Sequence, residues 1–156
     1  MEKTEWTKDG YLLSTDKSKI DIEVVHQFLS RSYWAESIPR EVVQRSIDNS
    51  FCFALYHHQQ LIGFARVISD FATFAYLADV FVVPAERGKG LSKWLMHIIM
   101  NHPRLLGLRR FTLATRDAHT LYAQFGFKAF DKPERWMQKH DPDVYKTDSN
   151  GQAGDD

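Results

Sequence analysis

The sequence predicts an α/β (α+β) domain: a mixed, mostly antiparallel sheet with helices on both faces. Short runs rich in β-branched and aromatic residues succeed one another with only polar turns between them, the pattern of hairpins. Further along, strand-like runs alternate with amphipathic stretches of helical period, the pattern of crossover connections. A chain of 156 residues with 44% hydrophobic and 26% charged side chains suits one core of ordinary soluble composition.

In chain order, "GYLLSTD" predicts a first strand, ended by Ser14, Thr15 and Asp16. Asp21 is an N-cap for "IEVVHQFLSRSYW", where Val24, Val25, Phe28 and Leu29 share a helical face. "SIPR" interrupts, and Pro39 suits the first turn of a second helix, "PREVVQRSIDNS". "FCFALYHH" and "LIGFARVIS" predict strands joined by a tight turn at Gln59 and Gln60. A turn near Asp70 leads to "TFAYLADVFVV", the longest β-rich run and the expected central strand. Leu91, Trp94, Leu95, Ile98 and Ile99 then form the apolar stripe of a helix lying on a sheet, with Pro103 at its end. "RRFTLAT" predicts a strand, "DAHTLYAQF" a short helix closed by Gly126, and "FKAF" and "RWMQK" two last strands. One domain over residues 1–139 is expected, followed by a polar, turn-rich and disordered tail over 140–156.

Charge and composition narrow the function. Lysine plus arginine and aspartate plus glutamate number 20 each, so no overall field attracts nucleic acid or an anionic membrane. A single cysteine, Cys52, excludes an internal disulfide, and neither a signal peptide nor a membrane span is evident. A cytoplasmic protein is the expectation.

"VPAERGKGLSKW" is the most informative stretch, because Arg-Gly-Lys-Gly stands where a strand hands over to a helix. The first-turn amides of a helix have no partner within it, and the helix dipole makes that end electropositive. Gly88 and Gly90 permit positive φ and close approach, while Arg87 and Lys89 add charge. The loop therefore predicts a phosphate site, most simply for a pyrophosphate. A nucleotide-hydrolase P-loop would need Gly-x-x-x-x-Gly-Lys-Ser/Thr, which is absent. A dinucleotide fingerprint would need a third glycine where Lys93 stands.

Two blocks of this chain resemble the GNAT superfamily of acyl-CoA-dependent N-acetyltransferases. "LADVFVVPAERGKGLSKWLM" is similar to that family's strand, Arg/Gln-x-x-Gly-x-Gly/Ala loop and helix, with Arg87, Gly90 and Ser92 at the defining positions; Ser92 replaces the usual glycine or alanine. "LATRDAHTLYAQFGF" is similar to Asn-x-x-Ala-x-x-Leu-Tyr-x-x-x-Gly-Phe through Ala118, Leu121, Tyr122, Gly126 and Phe127; Thr115 replaces the asparagine. The resemblance implies a sheet with one splayed strand pair and acetyl-CoA, or a related acyl-CoA, as donor. It implies a pyrophosphate on the amides of Arg87, Gly88, Lys89, Gly90, Leu91 and Ser92, a contact at Thr115, and pantetheine along Val80, Phe81 and Val82. It further implies acetyl transfer to a primary amine by direct attack in a ternary complex, without a metal, and relatives that often pair as dimers.

Transfer of this kind needs an acid for the leaving thiolate, and Tyr122, whose phenol has an ordinary pKa of about 10, is the expected acid. Asp79 stands out because aspartate is depleted in strand interiors. It either accepts the amine's proton, directly or through water, or holds a cationic substrate, or else it marks a bulge or makes a structural hydrogen bond to a neighbouring loop. His119 shares a helix face with Tyr122, and His57 and His58, on a strand, point to opposite faces. The segment between the first two helices carries Tyr33, Trp34 and Glu36, suited to an amine with an apolar body, on a small molecule or a peptide. Two other functions stay open: an acyl-CoA sensor without chemistry, and a Rossmann-type nucleotide-binding domain.

Overall fold

The computed structural model describes residues 4–146. Six strands, β1 (Glu5–Lys8), β2 (Tyr11–Ser14), β3 (Phe51–His57), β4 (Gln60–Ser69), β5 (Phe74–Val82) and β6 (Arg110–Leu113), lie side by side in that order. Neighbours pair antiparallel except β5 and β6, which are parallel. Helices α1 (Ile22–Ser30) and α2 (Arg40–Asp48) cover one face, and α3 (Leu91–Met100) and α4 (His119–Ala123) the other.

Strand β3 shows why. Phe53 and Leu55 enter the core beneath α3, while Cys52 and Ala54, between them in sequence, enter the core beneath α1 and α2. A strand covered on both faces has to be apolar at every position, which is why "FCFALY" is an unbroken run. On one side Leu95, Met96 and Ile99 reach 0% exposure, and on the other Val25 and Val43 do. Burying side chains of this size contributes about 1.5–3 kcal/mol each.

Several boundaries differ from expectation for local reasons. An additional strand, β1, precedes the first one expected. Asp9 and Gly10 take φ of 50° and 85°, the left-handed pair that a tight hairpin turn needs. The β3–β4 turn falls on His58 and Gln59 (φ 51° and 68°), one residue earlier than expected. His58 therefore leaves the strand, and its ring stacks on His57 at 4.0 Å instead of facing the other way. Asp21 caps α1 as expected, accepting from the Glu23 amide, but the helix stops at Ser30, short of Trp34. There the Ser32 hydroxyl donates to the Leu29 carbonyl and accepts from the Ala35 amide, competing with the helical pattern. Pro39 is the N-cap of α2 and not part of its first turn. Helix α3 ends at Met100, and Pro103 instead opens a single 3-10 turn. Strand β5 is next to the edge, the middle of the sheet being β3 and β4.

The two last strands, at 127–130 and 135–139, are not formed. Residues 128–144 are exposed throughout, with one 3-10 turn at Pro133–Arg135. At the start of the expected tail, the Val144 amide donates to the Asp141 carbonyl, and Tyr145 packs against the core beneath α1 and α2. Residues 147–156 of that tail lie outside the described residues. Among the described residues no helix is long and apolar enough to cross a membrane.

Candidate functional site

Strands β5 and β6 pair only from Phe74 with Arg110 to Leu77 with Leu113. Beyond that point they part, leaving Ala78–Val82 without a strand neighbour on that side among the described residues. A bulge against β4, between Phe64 and Arg66, turns β5 at the same place, and Asp79 takes φ of 56° there. The result is a splayed pair with peptide groups of β5 left unpaired on that side.

At the end of β5, a 3-10 turn (Pro84–Glu86) and the loop 87–90 lead into α3. Gly90 is the N-cap at φ 76°, and no side chain caps the helix. The first helical bond runs from the Trp94 amide to the Gly90 carbonyl at 3.1 Å, so the amides ahead of it have no intrahelical partner. A cavity of about 320 Å³ lies over them, lined by Val82, Glu86, Arg87, Gly88, Gly90, Leu91, Ser92 and Lys93. Lys93, set aside in the sequence as a missing glycine, lines this cavity as a second cation beside Arg87, whereas Lys89 does not line it. Its signal is its place in the first turn of α3.

Both loop cations have local partners. Arg87 Nε donates to the Val82 carbonyl at 2.9 Å, and Lys89 Nζ pairs with Glu86 Oε1 at 2.9 Å. Glu86 also accepts from the Tyr11 hydroxyl at 2.9 Å and meets His57 Nδ1 at 3.0 Å. The Lys89 bond, followed by those from His57 and Tyr11, holds the Glu86 carboxyl down at about 2. Glu86 thus anchors the loop to β2 and β3.

Beside the splay, Asp79 has both oxygens engaged. Trp34 Nε1 donates to Oδ1 and Arg66 Nε to Oδ2, each at 2.9 Å, and Arg66 continues to the Ser50 hydroxyl at 3.0 Å. The bulge and the loop hydrogen bond, given as alternatives for Asp79, are both present. Arg66 was not singled out in the sequence, although a cation within "LIGFARVIS" across from an aspartate-bearing strand was the available signal. Tyr33 stands edge-on to Trp34 at 5.1 Å, with the Arg116 guanidinium 3.8 Å from its ring centroid. Glu36 is exposed and near Lys146, whose ammonium is held protonated by Asp143 first and by this carboxylate in addition.

Tyr122 is 8% exposed and packs edge-on against Phe127 at 6.1 Å. Its hydroxyl makes no hydrogen bond among the described residues. Burial raises its pKa above the ordinary phenol value, reinforced by Tyr33 and Asp117 nearby. Thr115 spends its oxygen at the entrance to α4, accepting from the Ala118 amide at 3.0 Å. His119 is exposed, and Cys52 is buried at 1% exposure, which pushes its thiol up to about 11.

The chain as a whole has relatives among known proteins. The acetyltransferase (GNAT) family model matches residues 22–127. A GNAT-family protein from Xanthomonas campestris shares 50% identity and superimposes with a TM-score of 0.87, over 90% of this chain and all of its own. FG08082 of Gibberella zeae, itself named only provisionally as an acetyltransferase, is 29% identical over 142 residues, 76% of this chain and 79% of its own length. A Clostridium acetobutylicum protein solved with acetyl-CoA shares 16% identity at a TM-score of 0.60, over 83% of this chain and 94% of its own, a likeness of fold. The chain belongs to the GNAT acetyltransferase family.

Proposed function

We propose that this protein transfers an acetyl group from acetyl-CoA to a primary amine, on a small molecule or a peptide, by direct attack in a ternary complex. The observation that carries the proposal is an unpaired stretch of β5 that runs into an uncapped helix terminus, over the same core that holds a buried tyrosine whose hydroxyl is unbonded among the described residues. The amides of 87–92 and Lys93 hold the donor's pyrophosphate. The free edge of Val80, Phe81 and Val82 pairs with the two pantetheine amides as an added strand would. A backbone N–H near Phe81 meets the oxyanion. The amine nitrogen attacks the thioester carbonyl carbon, the carbon–sulfur bond breaks, and Tyr122 donates its proton to the departing sulfur and regains one from solvent. The amine's own proton leaves to solvent at the open mouth beside Tyr33 and Trp34. With both oxygens committed, Asp79 acts in this scheme by holding Trp34 in place and not as the base. Glu36, exposed and in the field of Lys146, is left outside the scheme. Thr115, with its oxygen bound to α4, retains only its hydrogen for the donor.

The test is a thermal-shift comparison of acetyl-CoA, CoA, NAD and ATP, followed by thiol release with amino acids, polyamines, aminoglycosides and peptides. Selective stabilisation by acetyl-CoA and turnover with at least one amine are expected. Tight donor binding without thiol release would favour a sensor. Stabilisation by NAD alone would overturn the proposal, and a sheet that is antiparallel at four of its five junctions already speaks against a Rossmann domain.

A further inference from the structure

A second cavity, of about 450 Å³, lies at the other end of the sheet from the loop 87–90. We propose that it binds a small carboxylic acid with an apolar body, at a site separate from the donor cavity. This stands apart from the acetyl-transfer reading.

Strand β3 starts at this end with Phe51 opposite Val67, and β4 finishes there at Ser69, opposite Ala75 near the start of β5. The end of α2, the 3-10 turn after α3 and the chain beside β1 and β2 close the remaining sides. The donor cavity instead touches Val82, at the far end of β5. The floor is apolar. Phe51 and Val67 form it at 9% and 0% exposure, and Phe71 stands edge-on to Phe51 at 5.6 Å. An opening of this volume, with an apolar wall and a few placed polar groups, suits a small organic molecule.

The polar groups select its charge. Lys17 Nζ donates one proton to the Asp48 carbonyl at 3.1 Å and has two more without an acceptor among the described residues. Ser50, at 8% exposure, accepts from Arg66 Nη1 at 3.0 Å, so its own proton is left to give. The Arg104 guanidinium lies 3.8 Å from the Phe71 ring centroid and 4.9 Å from that of Phe51, which sets a second positive charge against the apolar floor. Asp48 is the one carboxylate among the described lining residues, and its Oδ1 already accepts from Gln44 Nε2 at 2.9 Å. Two cations and a buried hydroxyl donor call for a group that only accepts, and a carboxylate is one. An inorganic anion would leave Phe51, Val67 and Phe71 against water, and a neutral apolar molecule would leave the donors unpaired. Ser50 is also the last member of the bonded series Trp34, Asp79 and Arg66, so an occupant of this cavity touches that same network.

The full chain is tested by amide NMR titration with benzoate, benzamide, acetate and inorganic phosphate, each with and without saturating acetyl-CoA. Benzoate should shift the amides of 49–51 and 69–71 saturably, and the other three probes should bind about 10-fold more weakly or less. The amides of 87–92 should not respond to benzoate, and acetyl-CoA should not displace it. Lys17 and Arg104 are both exposed, so Lys17→Ala and Arg104→Gln leave the core intact. Each should weaken benzoate about 5–10-fold with the acetyl-CoA thermal shift unchanged. Absence of that thermal shift in the wild type would count against the acetyl-transfer reading and leave the benzoate result to stand by itself. Amides of 49–51 and 69–71 that ignore benzoate, phosphate or benzamide binding as tightly as benzoate, or a benzoate affinity indifferent to both substitutions would each overturn the proposal.

Discussion

Trp34 and Asp79 are 45 residues apart in sequence and joined by one hydrogen bond of 2.9 Å, which fastens the loop after α1 to the bulge of β5. Arg66 grips the other carboxylate oxygen, so removal of the carboxylate frees an indole and leaves a guanidinium at 16% exposure without its partner. Asp79→Ala should cost about 1–3 kcal/mol of stability. It should also increase acrylamide quenching of Trp34 in a chain whose other three tryptophans are phenylalanine. If Asp79 only positions Trp34, the substitution raises the acceptor KM with a smaller fall in kcat and leaves the acetyl-CoA thermal shift intact. A collapse of kcat at unchanged KM would instead make Asp79 the base.

Tyr122→Phe removes one hydroxyl and keeps the ring that packs on Phe127. Proton donation to the leaving group is worth about 10²–10⁴-fold. Thiol release should therefore fall by about that factor while acetyl-CoA affinity, read by calorimetry, stays within about twofold. Because the phenol pKa is raised, the acid form persists throughout the neutral range. The pH–rate profile should show no descending limb from this residue until above its ordinary value of about 10. A variant as active as the wild type would remove Tyr122 from the chemistry.

The helices and the glycine turn ahead of α3 were legible in the sequence because each depends on neighbours within a turn or two. Asp21 capping α1, the apolar stripe of Leu91, Leu95 and Ile99, and Gly126 at φ 91° after α4 are all local. The cluster around Asp79 was not legible, since Asp79 takes its meaning from Arg66 and from Trp34, and only the fold brings those together. The run 135–139 misled for a related reason. Strand propensity records fitness for a pleated, half-buried surface, and this run has no such surface within its own chain. The Asp9-Gly10 hairpin, by contrast, was plain in the dipeptide and was passed over.

Gly90→Ala tests the turn beneath the cavity. An added Cβ meets nothing within 4 Å, so the penalty comes from the backbone at φ 76°. That conformation costs a non-glycine residue about 1–2 kcal/mol. The melting temperature should drop accordingly, and the stabilisation conferred by acetyl-CoA should shrink further as the amides shift. Lys93→Ala separates charge from geometry. It should weaken acetyl-CoA binding about 5-fold, ~1 kcal/mol, with a shallower dependence of affinity on salt and no change in the melting temperature of the free protein.

Glu86 sets the pH behaviour of the loop. Its folded-state pKa of about 2 lies below the ordinary 4.5, so the carboxylate binds fewer protons folded than unfolded. The contribution is complete above pH 4.5 and is lost as the pH falls from there toward 2. Glu86→Gln has no titrating group at this position. The urea midpoints of wild type and variant should therefore differ above pH 5 and converge as the pH is lowered toward 2, whatever the other carboxylates contribute to both. The substitution also frees Lys89 from its ion pair. Acetyl-CoA affinity at pH 7 then reports which effect governs binding. A tighter complex means the released ammonium reaches the pyrophosphate, and a weaker one means the anchor to Tyr11 and His57 matters more. The second outcome is expected, because several amides of the loop depend on that anchor and only one cation is gained.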